Sequence, residues 1–177
     1  MDEPPSTTDP LGGGVTCADE QSDVVLDAAR WCRLAGDVIE SEGARGELTL
    51  TFVDRDEITA LNREHMGADG PTDVLSFPLD AADGAPTSDV PVLLGDVVVC
   101  PAVAAEQARR HAGSLDDELA LLVVHGVLHV LGHDHADAEQ AARMQARELD
   151  LLQRHHWDGP PPSGFRQHHD DDHDDQS

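Results

Sequence analysis

His125 and His129 stand four residues apart in the segment His125-Gly-Val-Leu-His129-Val-Leu-Gly-His-Asp-His135, and His135 follows six residues later. On a helix, side chains at that first spacing lie one turn apart on one face. There two imidazoles reach a single cation at about 2.0–2.1 Å. On an unbroken helix His135 would point about 240° away from His129. It returns to the same cation only if the helix stops between them, and Gly132 supplies the stop, because glycine takes the left-handed conformation beyond a helix C-terminus without strain. Neutral imidazole suits zinc. Three protein ligands leave a fourth position open, the arrangement of a catalytic site rather than a structural one. The reading is one Zn2+ ion held by His125, His129 and His135. His133 falls off the ligand face, and Asp134 is placed either to orient a ligand histidine from behind or to sit in solvent as a loop acid. The catalytic acid and base are not assigned.

Elements on either side must hold these histidines. Residues 119–131 are apolar except for the two histidines, the pattern of a helix buried on all sides. Ser114 opens that helix, with Asp117 completing a shortened acidic capping box. Val24, Ala28, Trp31, Ala35 and Val38 form a helical stripe that ends at Gly43. Leu48, Leu50 and Phe52 alternate with polar residues as a half-buried strand. Asp54 or Asp56 caps a short helix carrying Ile58 and Leu61. Residues 73–79, between Pro71 and Pro78, read as an edge strand or irregular segment. A loop over residues 80–91 leads to an apolar strand over 92–100, interrupted at Gly95-Asp96. Pro101 starts a helix that runs to about His111 and stops at Gly113. A last helix spans roughly residues 137–154, with Ala138, Ala141, Ala142, Leu149 and Leu152 as its apolar stripe.

Interleaved helices and strands predict an α+β class: a small mixed β-sheet packed with helices, the metal-binding helix buried among them. Residues 23–154 are read as a single catalytic metal-binding domain. Residues 1–22 are read as a disordered acidic tail and residues 155–177 as a disordered His/Asp-rich tail, whose His168 to His173 cluster is solvated.

Thirty-six acids against 11 bases give a formal charge of -25 over 177 residues, and every base is an arginine. That balance argues against broad unassisted binding to nucleic acid, which depends on cationic surface displacing counterions. Cys17, Cys32 and Cys100 are odd in number and widely spaced, so neither a disulfide framework nor a thiolate metal cluster is expected. The N-terminus lacks the basic and apolar regions of a signal peptide, and no apolar run approaches the roughly 20 residues of a membrane span. A cytoplasmic protein without a membrane partner is expected.

The histidine segment is similar to that of zinc proteases with two helical histidines, a glycine and a third histidine, a zincin-like site. Those enzymes carry a glutamate as general base directly after the first histidine, where this chain has Gly126. Three separated pieces carry a closer resemblance: Gly70-Pro-Thr-Asp-Val-Leu-Ser-Phe-Pro78, Gly95-Asp-Val-Val-Val-Cys-Pro101 and the histidine segment 125–135. In these, and in their order over residues 23–154, the chain resembles the YbeY family of ribosomal RNA maturation factors, also described as endoribonucleases. The resemblance implies zinc on His125, His129 and His135 and a compact α+β fold with a mixed sheet. It also implies cleavage of single-stranded RNA, in 3′-end maturation of small-subunit (16S) ribosomal RNA and in ribosome quality control, with ribosomal RNA and the small ribosomal subunit as partners. One departure stands out. Many family members carry an arginine, suspected of acting on phosphate, where this chain has Met66, and a thioether cannot stabilise an oxyanion. Arg63 or Arg55 then substitutes, or a partner supplies the charge, or cleavage is weak. Ser76 and Thr72 are read as backbone-bonding residues, Asp73 and Asp96 as loop ties, and Cys100 as a buried thiol. The competing readings are a non-catalytic ribosome-assembly factor with a structural zinc and a metallohydrolase of another substrate.

Overall fold

The computed structural model describes residues 7–9, 13–79, 92–133 and 136–167. Its frame is a mixed five-stranded sheet in the order β1-β2-β3-β5-β4. The strands are β1 (Thr7–Asp9), β2 (Gly13–Asp19), β3 (Glu47–Phe52), β4 (Val74–Pro78) and β5 (Leu93–Val99). β2 and β5 flank β3 in parallel, while β1 and β4 close the sheet antiparallel to β2 and β5. β3 buries Leu48, Leu50 and Phe52 on alternate positions, as their spacing predicts. β4 is an edge strand, which fits the two prolines bounding it.

Three longer helices, α1 (Ala28–Ser41), α4 (Leu115–Val130) and α5 (Ala138–Leu152), share one core with that face of the sheet. Two short ones, α2 (Arg55–Leu61) and α3 (Pro101–Gln107), join a smaller cluster of Val53, Ile58, Leu75, Val98, Cys100 and Val103. Capping follows the sequence. Asp54 Oδ1 accepts from Glu57 N at 2.9 Å, Ser114 Oγ from Asp117 N at 3.1 Å, and Asp137 Oδ1 from Gln140 N at 2.8 Å. Pro101 occupies the first turn of α3. That helix is regular only to Gln107, and the chain continues in turns to Ala112. α4 buries 12 of its 16 residues, so it is the helix wrapped on every side that its composition predicts.

The expected domain limits need correction at both ends. Gly13–Asp19 is not a disordered tail but strand β2, hydrogen-bonded in register with β3 from Gly14↔Glu47 to Asp19↔Phe52. Its own apolar content is slight; the exposed edge of β3 and the underside of α1 stabilise it, with Val15 buried in the core. At the other end α5 runs into a wider turn, Gln153–Trp157. Trp157 then packs edge-on to Phe165 at 4.7 Å and donates from Nε1 to Asp117 at 2.9 Å. Arg166 N donates to His111 O at 2.9 Å. Two aromatic residues in an otherwise polar stretch are enough to fold residues 155–167 back onto the domain. The cluster from His168 to His173 lies outside the described residues. The stripe of α5 also differs from expectation: Met144, Glu148, Leu151 and Leu152 are buried, and Ala142 is exposed.

Candidate metal centre

α4 brings His125 and His129 together as their spacing predicts, with ring centroids 4.6 Å apart and planes at 80°. His125 is buried and His129 half-buried. The helix ends where the sequence places its stop. Leu131 N donates to Val127 O at 3.0 Å, His133 N to Leu128 O at 2.9 Å, and Gly132 takes φ 106°. A side chain is strained at that angle, so the turn out of the helix depends on glycine. His135 and Asp134 lie outside the described residues, and among the described residues no group of three His, Cys, Asp or Glu side chains converges on one point.

A residue with no obvious signal in the sequence holds His125. Glu148 is fully buried on α5, and its Oε2 lies 2.6 Å from His125 Nδ1. An ionised carboxylate only accepts; with Glu148 ionised and His125 neutral, Nδ1 is the donor of this contact and Nε2 keeps its lone pair. Glu148 is itself held: Gln167 Nε2 donates to Glu148 Oε1 at 3.0 Å and to Gln145 O at 2.9 Å. A carboxylate behind a histidine, fixing its tautomer and ring orientation, is a usual companion of a metal-ligating imidazole. The donor set fits zinc on this ground: an imidazole oriented by a buried carboxylate, and a second imidazole one turn away.

Gly126 has an equally physical reason to be glycine. α4 lies so close to the sheet there that an added Cβ would stand 2.6 Å from Val97 Cγ1, 3.3 Å from Val74 Cγ2 and 3.4 Å from Ser76 Oγ. Ser76 Oγ donates to Gly126 O at 3.1 Å, stitching β4 to α4 between the two histidines. The position that zinc proteases fill with glutamate therefore has no room for any side chain in this chain.

The remaining residues sort as follows. His133 is taken up elsewhere, with Nε2 2.6 Å from Glu42 Oε1, and Arg147 binds the other Glu42 oxygen. Burial opposes ionisation of Glu42, but the Arg147 and His133 hydrogen bonds and charges outweigh it and hold the carboxyl below its usual range. Thr72 Oγ1 donates to Asp73 at 3.5 Å, and Asp73 O accepts from Cys100 N at 2.9 Å, so that pair joins the start of β4 to the end of β5. Cys100 is buried; burial, which dominates, keeps its thiol above the ordinary range. Asp96 is half-buried on β5, opposite Phe77. Met66 ends the turn Asn62–Met66 and is 52% exposed. Of the two arginines expected to replace it, Arg55 pairs with Glu106, and Arg63 lies 3.8 Å from Asp69 with both side chains in solvent.

The family model described as Endoribonuclease YbeY matches residues 16–156. A curated relative of that description from Halorhodospira halophila is 47% identical over 115 residues, covering 65% of this chain and 74% of its own length. Another from Salinispora tropica is 44% identical over 144 residues, covering 76% and 88%. A solution structure from Thermotoga maritima superposes with a TM-score of 0.52 at 26% identity, over 79% of this chain and 90% of its own.

Proposed function

Because the chain belongs to the YbeY endoribonuclease family, we propose that it is a zinc-dependent endoribonuclease that cleaves single-stranded RNA. Its task in this reading is maturation of the 3′ end of small-subunit (16S) ribosomal RNA and ribosome quality control, with the small subunit as partner. The observation that carries the reading is the buried Glu148–His125 contact at 2.6 Å beside His129. A fully buried carboxylate aimed at one ring nitrogen leaves the other fixed as an acceptor, which suits coordination of a cation.

His125 and His129 would hold the ion with His135 as third ligand. When bound, zinc supplies Lewis-acid charge against a phosphate oxygen. The chain's own residues do the positioning. Glu148 keeps the proton on His125 Nδ1, Gln167 keeps Glu148 in place, and Ser76 locks α4 against β4 so that the histidine pair cannot rotate. Apolar neighbours on α4 close the inner side of the pair to water. Gly126 removes the protease-type general base, which sets peptide hydrolysis by that route aside.

A second reading, a ribosome-assembly factor that binds without cleaving, is favoured by one observation. Met66 stands exposed where the family arginine is expected, on a chain of formal charge -25. One experiment separates the two. Purified protein and its His125→Ala/His129→Ala variant are incubated with single-stranded RNA, with zinc content measured by mass spectrometry and co-sedimentation with small subunits in parallel. Cleavage by the wild type and loss of both cleavage and zinc in the variant are expected. Cleavage that survives in the double variant would overturn the metal mechanism, and co-sedimentation of zinc-loaded wild type without cleavage would select the binding role.

A further inference from the structure

The site described above uses none of the three cysteines, yet two of them meet. Val15 on β2 is buried beneath α1, and Cys17, two residues on, faces the same way. Cys32 on α1 reaches down to that strand, its thiol donating to Val15 O at 3.3 Å. The neighbouring Cys32 thiol first, and burial second, push the Cys17 thiol up from its ordinary range. Both side chains are half-buried against the main core, whereas Cys100 is fully buried in the other cluster.

Cys32 also lines a cleft of about 910 Å³ along α1, together with Arg33, Arg45 and His155. Neither His125 nor His129 lines it. Cys17 does not line it either, so a reagent in the cleft reaches Cys32 first. Arg33 and Arg45 line the cleft beside Asp37 and Glu40, so a reagent entering it meets charges of both signs.

We propose that Cys17 and Cys32 are a redox-active dithiol, closed to a disulfide by exchange with a small peptide disulfide entering the α1 cleft. Cys32 Sγ, as thiolate, attacks one sulfur of the reagent, breaking its S–S bond and releasing one thiolate. Cys17 then gives up its proton to solvent and attacks Cys32 Sγ, and the second half of the reagent leaves as thiolate. Two protein thiols are oxidised and one disulfide is reduced to two thiols, so electrons and atoms balance. The closed bond staples β2 to α1. Oxidation thereby tightens the strand that the folded domain adds at its N-terminal end.

The test uses the full reduced chain, equilibrated anaerobically over a series of reduced-to-oxidised glutathione ratios, then acid-quenched, alkylated and mapped by mass spectrometry. Expected are loss of two hydrogens from the intact mass, a Cys17–Cys32 cross-linked peptide and alkylated Cys100. The oxidised form should melt roughly 6–12 °C higher, as expected for a loop of this length. Cys17→Ser is expected to stop at one glutathione on Cys32, and Cys100→Ser to close normally. A wild type that shows no cross-link in fully oxidised buffer, or that accumulates glutathione on Cys32 without closing, overturns the proposal. So does a cross-link through Cys100. These readouts are made on the wild type, so poor folding of a variant does not affect them.

Discussion

Gly126→Ala sets two ordinary effects against each other, and the distances decide between them. In a helix interior alanine is favoured over glycine by about 0.8–1 kcal/mol, and residue 126 lies in the middle of α4. Against this, the new methyl would sit 2.6 Å from Val97 Cγ1, about 1 Å inside the 3.5–4.0 Å of an ordinary carbon contact. Val97 cannot give way cheaply. It is fully buried on β5, between β3 and β4, and its branched side chain has a stiff first torsion. The helix must move out instead, at about 1–3 kcal/mol for an overpacked methyl. Lifting α4 also weakens the 3.1 Å bond from Ser76 to Gly126 O, worth about 0.5–1.5 kcal/mol. The net expectation is destabilisation by about 2 kcal/mol, read as a lower urea midpoint with an unchanged slope. In a Val97→Ala background, where the obstructing methyl is gone, the cost of Gly126→Ala should shrink by about 1 kcal/mol or more. A Gly126→Ala protein as stable as wild type, or a cost unaltered by Val97→Ala, would refute the steric argument and with it the reason given for the missing protease base.

Two further outcomes follow from the ionic contacts. Glu148→Gln keeps the shape and a hydrogen bond but removes the charge behind His125; it should lower zinc affinity about 10–100-fold in a chelator-competition titration, and unchanged affinity would contradict the positioning role. Glu42 has a folded pKa below its ordinary value of 4.5, so its stabilisation is complete above that pH and fades as pH falls through the lower folded value. Wild type should therefore exceed Glu42→Gln in stability at neutral pH and converge with it in acid. Urea unfolding at a series of pH values checks this, and a gap that stays constant into acid would count against the pairing with Arg147 and His133.

Local and helical signals were the legible part of the chain. Ser114, Asp54 and Asp137 cap where a polar residue precedes an apolar run, because capping depends on three or four neighbouring residues. The pairing of His125 with His129 was legible for the same reason, since one helical turn relates them. β2 was not. Val15 and Cys17 are too few to signal a strand, and what stabilises them is the open edge of β3 some thirty residues away. Trp157 and Phe165 stand in a polar stretch with the composition of a tail, and only their contact across eight residues, invisible to local pattern, folds that stretch back.

Glu148 shows where reading along the chain runs out. In the sequence it is one of many glutamates on an amphipathic helix, and its neighbours suggest a solvated face. It is buried because α5 crosses α4 with that position turned toward His125, a fact of packing between two helices rather than of either one. The cost of burying a carboxylate without a partner is several kcal/mol or more. A fully buried glutamate therefore implies a partner that matters to the fold or to the chemistry, and here the partners are an imidazole and Gln167. If pairing alone were the purpose, a buried apolar pair of similar volume would serve at least as well. The charge behind one of the two adjacent histidines fits a positioning role instead: a carboxylate against Nδ1 orients the ring and, in the zinc site proposed above, would leave Nε2 to the ion.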